Sequence, residues 1–274
     1  MPTRTFPMPL PPLKYTTAHL ALTVPVDEPV LRNDEVKQQL AASLSAEFQA
    51  RGDVVLPDGA PDEAPYLLLH GRASQIAFSR VQADYEIEFY DVYQSSVNLC
   101  REFVAEKMEA LLRAWTRVGA HPVWEGLVLT LRASTLGQDE SPIRHMLETH
   151  LRPDLADDAL HDVNLQLGLR LQEQYFVTLR IGKYEARRVQ RQVAPGTPVG
   201  PIRPWEGEVA DEGFELTVDI NNRLGALIEK KHTRVDEGSL RALNDLAWQL
   251  VEHVAVPLAH DGVLDLTAIQ QATV

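Results

Sequence analysis

The sequence predicts an α+β protein, a mainly antiparallel sheet with helices packed on one face. Two observations carry this. Stretches of period-two hydrophobicity follow one another directly, as in residues 66–90 and 163–182, instead of alternating singly with helices. Between them lie a few longer stretches whose apolar residues recur every three or four positions. Such an order is neither the steady strand–helix alternation of a doubly wound sheet nor an all-β pattern.

The elements follow in order. Residues 1–14 hold five prolines and read as an extended, proline-stiffened arm with Phe6, Met8, Leu10 and Leu13 between them. Leu20, Leu22, Val24 and Val26 alternate with His19, Ala21, Thr23 and Pro25, which predicts a strand near a sheet edge. Val36, Leu40, Leu44 and Phe48 predict an amphipathic helix capped by Asn33 or Asp34 and stopped by Gly52. Three strands follow, at Tyr66–Ser74, Gln75–Arg80 and about Asp84–Tyr90. A helix with Leu99, Phe103, Met108, Leu111 and Trp115 on one stripe ends at Gly119. "WEGLVLTLRAS" is a strand with Leu127, Leu129 and Leu131 facing in and Thr130 and Arg132 facing out.

The second half repeats the style. Val163 to Ile181 reads as a hairpin turning near Glu173. The Pro- and Gly-rich residues 194–208 read as a loop. "FELTVDIN" alternates Phe214, Leu216, Val218 and Ile220 with Glu215, Thr217, Asp219 and Asn221. A last helix, capped by Ser239, turns Leu243, Leu246, Leu250 and Val254 inward and is ended or kinked by Pro257. The expected organisation is the arm at 1–14 and two α+β halves, 15–136 and 137–274, in one domain or two. The halves could be a diverged duplication, although no motif repeats letter for letter.

Composition narrows the function. Lysine plus arginine number 26 against 39 acidic residues, a net charge of −13, which disfavours nonspecific nucleic-acid binding. No apolar run is long enough for a membrane span, and the proline-broken N-terminus does not read as a signal peptide. Cys100 is the only cysteine, which excludes an internal disulfide and a cysteine zinc site. A cytoplasmic, prokaryotic setting is the expectation.

The candidates for chemistry are weighed singly. Glu86, Glu88, Arg132, Arg170, Arg180, Asp219 and Asn221 share the polar side of their strands, where cross-strand charge pairs are the ordinary dressing. "HMLETH" spaces His145 and His150 five apart, wrong for a zinc-binding helix, and a solvated or capping role is expected. His161-Asp162 and His260-Asp261 lack a nucleophile elbow, and no phosphate-binding glycine loop is present. Cys100 reads as a buried structural thiol. Lys183, Arg187, Arg188 and Arg191 form the one basic cluster, extended by Arg203, and are the candidate partner-binding residues. No catalytic residue, metal or cofactor is expected.

The run of a proline-rich start, "QIAFSRVQADYEIEF", a long helix, "GLVLTLRAS", a hairpin, "ELTVDINNRLG" and a terminal helix resembles a sporadically distributed prokaryotic protein family over most of the chain. In that family a strand reading like "LDID" precedes the last helix, and "TVDIN" with Asp219 stands there in this chain. The family also carries an arginine and an asparagine in a mid-chain strand; here Arg132 has no following asparagine. The resemblance implies an intracellular protein with an accessory or mobile-element role, and it transfers no catalytic residues.

The expectation is a non-enzymatic protein-interaction or assembly component, with a protein partner or a homo-oligomer, in an accessory or defence-type system. The alternatives are a metal-dependent hydrolase or nuclease using carboxylates of the polar sheet face, and a small-ligand sensor with a pocket between sheet and helices.

Overall fold

A computed structural model describes residues 11–136, 142–150, 162–171, 174–189, 207–223, 234–265 and 267. Its strands are β1 (Lys14–Thr23), β2 (Ala50–Asp53), β3 (Leu67–His70), β4 (Ser74–Phe78), β5 (Gln82–Glu88), β6 (Trp124–Ser134), β7 (Asn164–Leu171), β8 (Tyr175–Arg188) and β9 (Glu208–Asn221). They form a nine-stranded sheet in the order β2-β3-β4-β5-β1-β6-β9-β8-β7, with every neighbouring pair antiparallel. The helices are α1 (Asp34–Ser43), α2 (Val97–Arg117), α3 (Pro142–His150), α4 (Glu237–Leu250) and α5 (Val256–Asp261). The α+β class is therefore borne out.

The topology repeats. Each half runs strand, helix, an antiparallel meander that returns to pair with the half's first strand, and a closing helix. The two first strands, β1 and β6, pair with each other at the seam, from Lys14 opposite Arg132 to Thr23 opposite Trp124. The closing helices α2 and α4 lie against one another, tied by Arg101–Asp245 at 2.7 Å and Arg241–Glu109 at 2.8 Å. These pairs run in opposite senses along the two helices, so α2 and α4 are antiparallel. One core spans both halves, with Trp115 of α2 and Trp248 of α4 fully buried in it.

Several expectations need correction. β1 is a central strand, not an edge. Pro25 lies beyond its end, so its missing N–H costs no ladder bond. α1, capped by Asn33 Oδ1 accepting from Val36 N at 2.8 Å, stops by Leu44, and Gly52 belongs to β2, a strand the periodicity did not suggest. Leu44 and Phe48 remain buried as the chain turns toward β2. Leu99 sits at the outer edge of the α2 stripe, 40% exposed, and Cys100 takes the inner position. The N-cap of α4 is Asp236, whose carboxylate accepts from Ser239 N at 2.8 Å while Ser239 Oγ accepts from Asp236 N. Ser239 thus closes the cap without being its first residue. A wide turn over Val251–Ala255 precedes α5, in whose first turn Pro257 sits. Gly119, with φ +78°, ends α2 as expected. Residues 1–10 of the arm lie outside the described residues. Leu13, near the start of the described chain, packs against the core.

Candidate functional site: the uncovered sheet face

Alternation along each strand sends Leu20, Leu22, Leu129, Leu131, Val218, Ile220, Val177 and Leu179 under the helices, all buried. The other face meets no helix among the described residues, and pairing aligns its side chains in rows. One row reads Glu88, Thr17, Thr130, Thr217, Arg180 across β5, β1, β6, β9 and β8. The next reads Glu86, His19, Val128, Asp219, Thr178 over the same strands. The third begins at Asp84 and reaches Asn221, Phe176 and, on β7, Arg170. The face is acidic along β5, carries three aligned threonines in its middle strands, and bears one arginine each on β8 (Arg180) and β7 (Arg170).

All seven predicted face residues lie on this side. Arg132 forms an ion pair with Glu215, its register neighbour on β9, at 2.6 Å. It also lies 4.8 Å from the Tyr184 ring centre. Asp219 accepts from Asn221 Nδ2 at 3.0 Å. Arg180, on the adjacent strand, lines up with Thr217. Glu86 accepts from Gln75. His19, which sequence reasoning did not single out as a site residue, lies at the middle of the face. Its Nε2 is shielded from solvent, 3.3 Å from Asp84 Oδ1. This contact with Asp84 acts on the ring first as a hydrogen-bonding interaction and then through charge. It raises the imidazole pKa above its ordinary value against the opposing effect of burial, and Glu86 and Asp219 add to the rise.

These carboxylates do not converge. Glu86 and Asp219 share a row but stand three strand spacings apart, about 14 Å of backbone. Among the described residues, no group of three or more His, Cys, Asp or Glu side chains is placed to hold a metal ion.

The basic cluster is laced with acids. Lys183 lies in register with Phe214, on the opposite side from Arg180, and pairs with Glu185 at 3.5 Å and Glu212 at 3.6 Å. Arg187 pairs with Glu185 at 2.5 Å and donates to Gly207 O at 3.1 Å. Arg188 is exposed and in register with Glu208. Arg191 and Arg203 lie outside the described residues, as does most of the Pro/Gly loop. Much of the positive charge at this strand end is thus met internally.

The histidines also need correction. His145 is not solvated: it is 1% exposed, its ring packs edge-on against Phe214, and its Nε2 is 3.4 Å from Ala259 O. Burial lowers the pKa of His150 and of His260, and His145 lowers both further. His161 lies outside the described residues. Cys100 is fully buried, bonds Tyr93 O at 2.9 Å, and is pushed up to about 12 by desolvation, as an inert thiol would be.

Two buried polar clusters were missed. Glu125, fully buried, accepts from Tyr175 Oη at 3.1 Å and Ser239 Oγ at 2.9 Å. Desolvation raises its pKa to about 7 against those two hydrogen bonds, and Asp236 raises it further. The signal was present: Glu125 precedes Leu127, Leu129 and Leu131 in the same inward register. The second cluster surrounds Glu47, which accepts from Ser74 at 3.2 Å and from Tyr85 Oη and pairs with Lys107 at 2.9 Å. It borders a cavity of about 520 Å³ beside α1, α2 and the β3–β4 turn, with Arg72, Tyr93 and Phe103 also in the wall. The charges deepest in that wall are satisfied by one another.

No protein-family model matches the chain, and no curated protein matches it. No helix among the described residues is long and apolar enough to cross a membrane.

Proposed function

We propose that the protein is a non-enzymatic interaction or assembly component whose working surface is the uncovered sheet face. The observation that carries this is the face itself. One side of a nine-stranded sheet is sealed by helices, and the other presents three aligned threonines between an acidic margin and one bearing Arg180 and Arg170, with no covering element among the described residues. A surface of that size and charge layout suits another protein. The two buried carboxyl clusters support the same reading, because Glu47 and Glu125 are each bound by neighbouring side chains of the chain itself. The acidic balance and the resemblance to a sporadically distributed family favour an intracellular accessory role.

Site-specific photocrosslinking in cells tests this reading. A photoreactive residue at Thr130, the centre of the face, should give protein adducts, and one at Asn98, outside the face on α2, should give few. Adducts arising equally from both positions, or from Asn98 alone, would overturn it.

A further inference from the structure

The row from Glu88 to Arg180 has a symmetry that a single copy does not use. It crosses five adjacent strands, with Thr130 of β6 at its midpoint. Its two ends carry opposite charges, about 19 Å apart at four strand spacings. Glu88 and Arg180 are both exposed, and neither has an ion-pair partner among the described residues. The side chains between them, Thr17, Thr130 and Thr217, are short. A two-fold axis parallel to the strands and lying over β6 exchanges the positions of β5 and β8. It therefore sets Glu88 of one copy opposite Arg180 of the other, and does so twice. An isologous interface requires this self-complementarity of a single patch. Sheets stack face to face about 10 Å apart, a gap that a glutamate and an arginine reaching toward each other can bridge.

We infer that the uncovered face binds a second copy of this chain, forming a two-fold dimer closed by reciprocal Glu88–Arg180 ion pairs around a threonine centre. The inference rests on the reading of this face as an interaction surface and names its partner. On one side, the row through Arg132 sets that residue against itself on the axis, where Glu215 of each copy already neutralises it and also faces Lys14 of the other copy. The row on the other side agrees. The carboxylate of Glu86 falls opposite uncharged Thr178, so no like charges meet there. Because each copy carries a net charge of −13, the copies repel at long range, and attachment depends on the local pairs.

Sedimentation and light-scattering mass measurements on the full chain test it. The wild type should have twice the chain mass. Arg180→Glu and Glu88→Arg, both at exposed positions, should each weaken the dimer at least tenfold while circular dichroism still shows the folded chain, any fall in melting temperature being limited to that expected from losing the dimer. Mixing the two variants should restore a dimer, because the two introduced charges then meet each other across the interface and the two native ones do the same. The double variant should restore it as well. A monomer at all protein and salt concentrations would overturn the inference, as would a dimer indifferent to both substitutions or a mixture that fails to recover. If the chain is monomeric while Thr130 crosslinks to a different protein, the dimer falls and the interaction reading stands. If Thr130 labels only residues 1–10 of its own chain, both fall.

Discussion

The two halves share a topology but bury their polar groups differently. In the first, the Glu47 carboxyl meets a strand tyrosine, Tyr85, and a closing-helix cation, Lys107. In the second, Glu125 meets a strand tyrosine, Tyr175, and only a hydroxyl, Ser239, from its closing helix. The lysine decides the outcome. Although burial opposes it, pairing with Glu47 and Glu106 raises the Lys107 pKa, so the cation is held at neutral pH. Glu125 has no such cation, and desolvation lifts it to about 7. Halves built on one plan can thus differ in their pH response through one helix residue.

The strongest way to break the comparison is to ask whether the halves are separable at all. Ile220 is fully buried beside the seam, between Leu127 of β6 and Val177 of β8. Ile220→Ala should cost about 2–5 kcal/mol, the range for large-to-small core changes. If both halves unfold as one, amide exchange of Tyr85 and Ile87 in the first half should quicken in step with that of Val218. Faster exchange confined to the second half would show two independent units.

A smaller effect sharpens the contrast between the carboxyls. The folded pKa of Glu125 lies above its ordinary value of 4.5. Its contribution to stability is therefore fully present below about pH 4.5 and is lost as pH rises through about 7. A shift of that size corresponds to about 3 kcal/mol. Glu125→Gln keeps a neutral group able to bond both hydroxyls. It should raise stability by about 2–3 kcal/mol near pH 8 and change little near pH 5, read by chemical denaturation at both. Glu47→Gln should do the reverse near pH 8, costing roughly 1–2 kcal/mol, because it leaves Lys107 with less of its counter-charge. The same sign for both variants near pH 8 would refute the account.

How much of this was legible depended on the period of the pattern. β6 was readable to its ends because three leucines alternate without interruption and the strand is long. The uncovered face was readable for the same reason, since a residue's parity fixes its side of the sheet. The place of β1 was not, because sheet order is set by long-range pairing and Pro25 suggested an edge where the strand had already ended. β2 escaped because Ala50–Asp53 has no apolar alternation and exists through its bonds to β3. The Glu47 cluster could not be seen, because its members come from four separate stretches of chain. Glu125 could have been found by continuing the leucine register one step back.

The smallest expected effect concerns Asp219, at the centre of the face. On a face dressed by cross-strand charge pairs Asp219 would pair with an arginine or cap a nearby turn, and the structure gives it an amide partner instead. Asn221 donates to it from two residues along the same strand; Arg180, one row away on β8, makes no ion pair with it, and Arg132, two rows away, is bound to Glu215. With solvent access on one side and only an amide donor, the ionised carboxylate is held by little. Asp219→Asn should therefore cost no more than about 1 kcal/mol. The substitution also removes one of the three acids that raise the pKa of His19, which lies in the same row across Val128. The His19 titration, followed by proton NMR, should move downward by less than it does in Asp84→Asn, since Asp84 provides the larger, closer contact. An unchanged His19 titration in Asp219→Asn would show that the rows of this face do not communicate across two strands. A loss of the protein's biological activity with the melting temperature and the dimer both intact would instead return Asp219 to the catalytic reading.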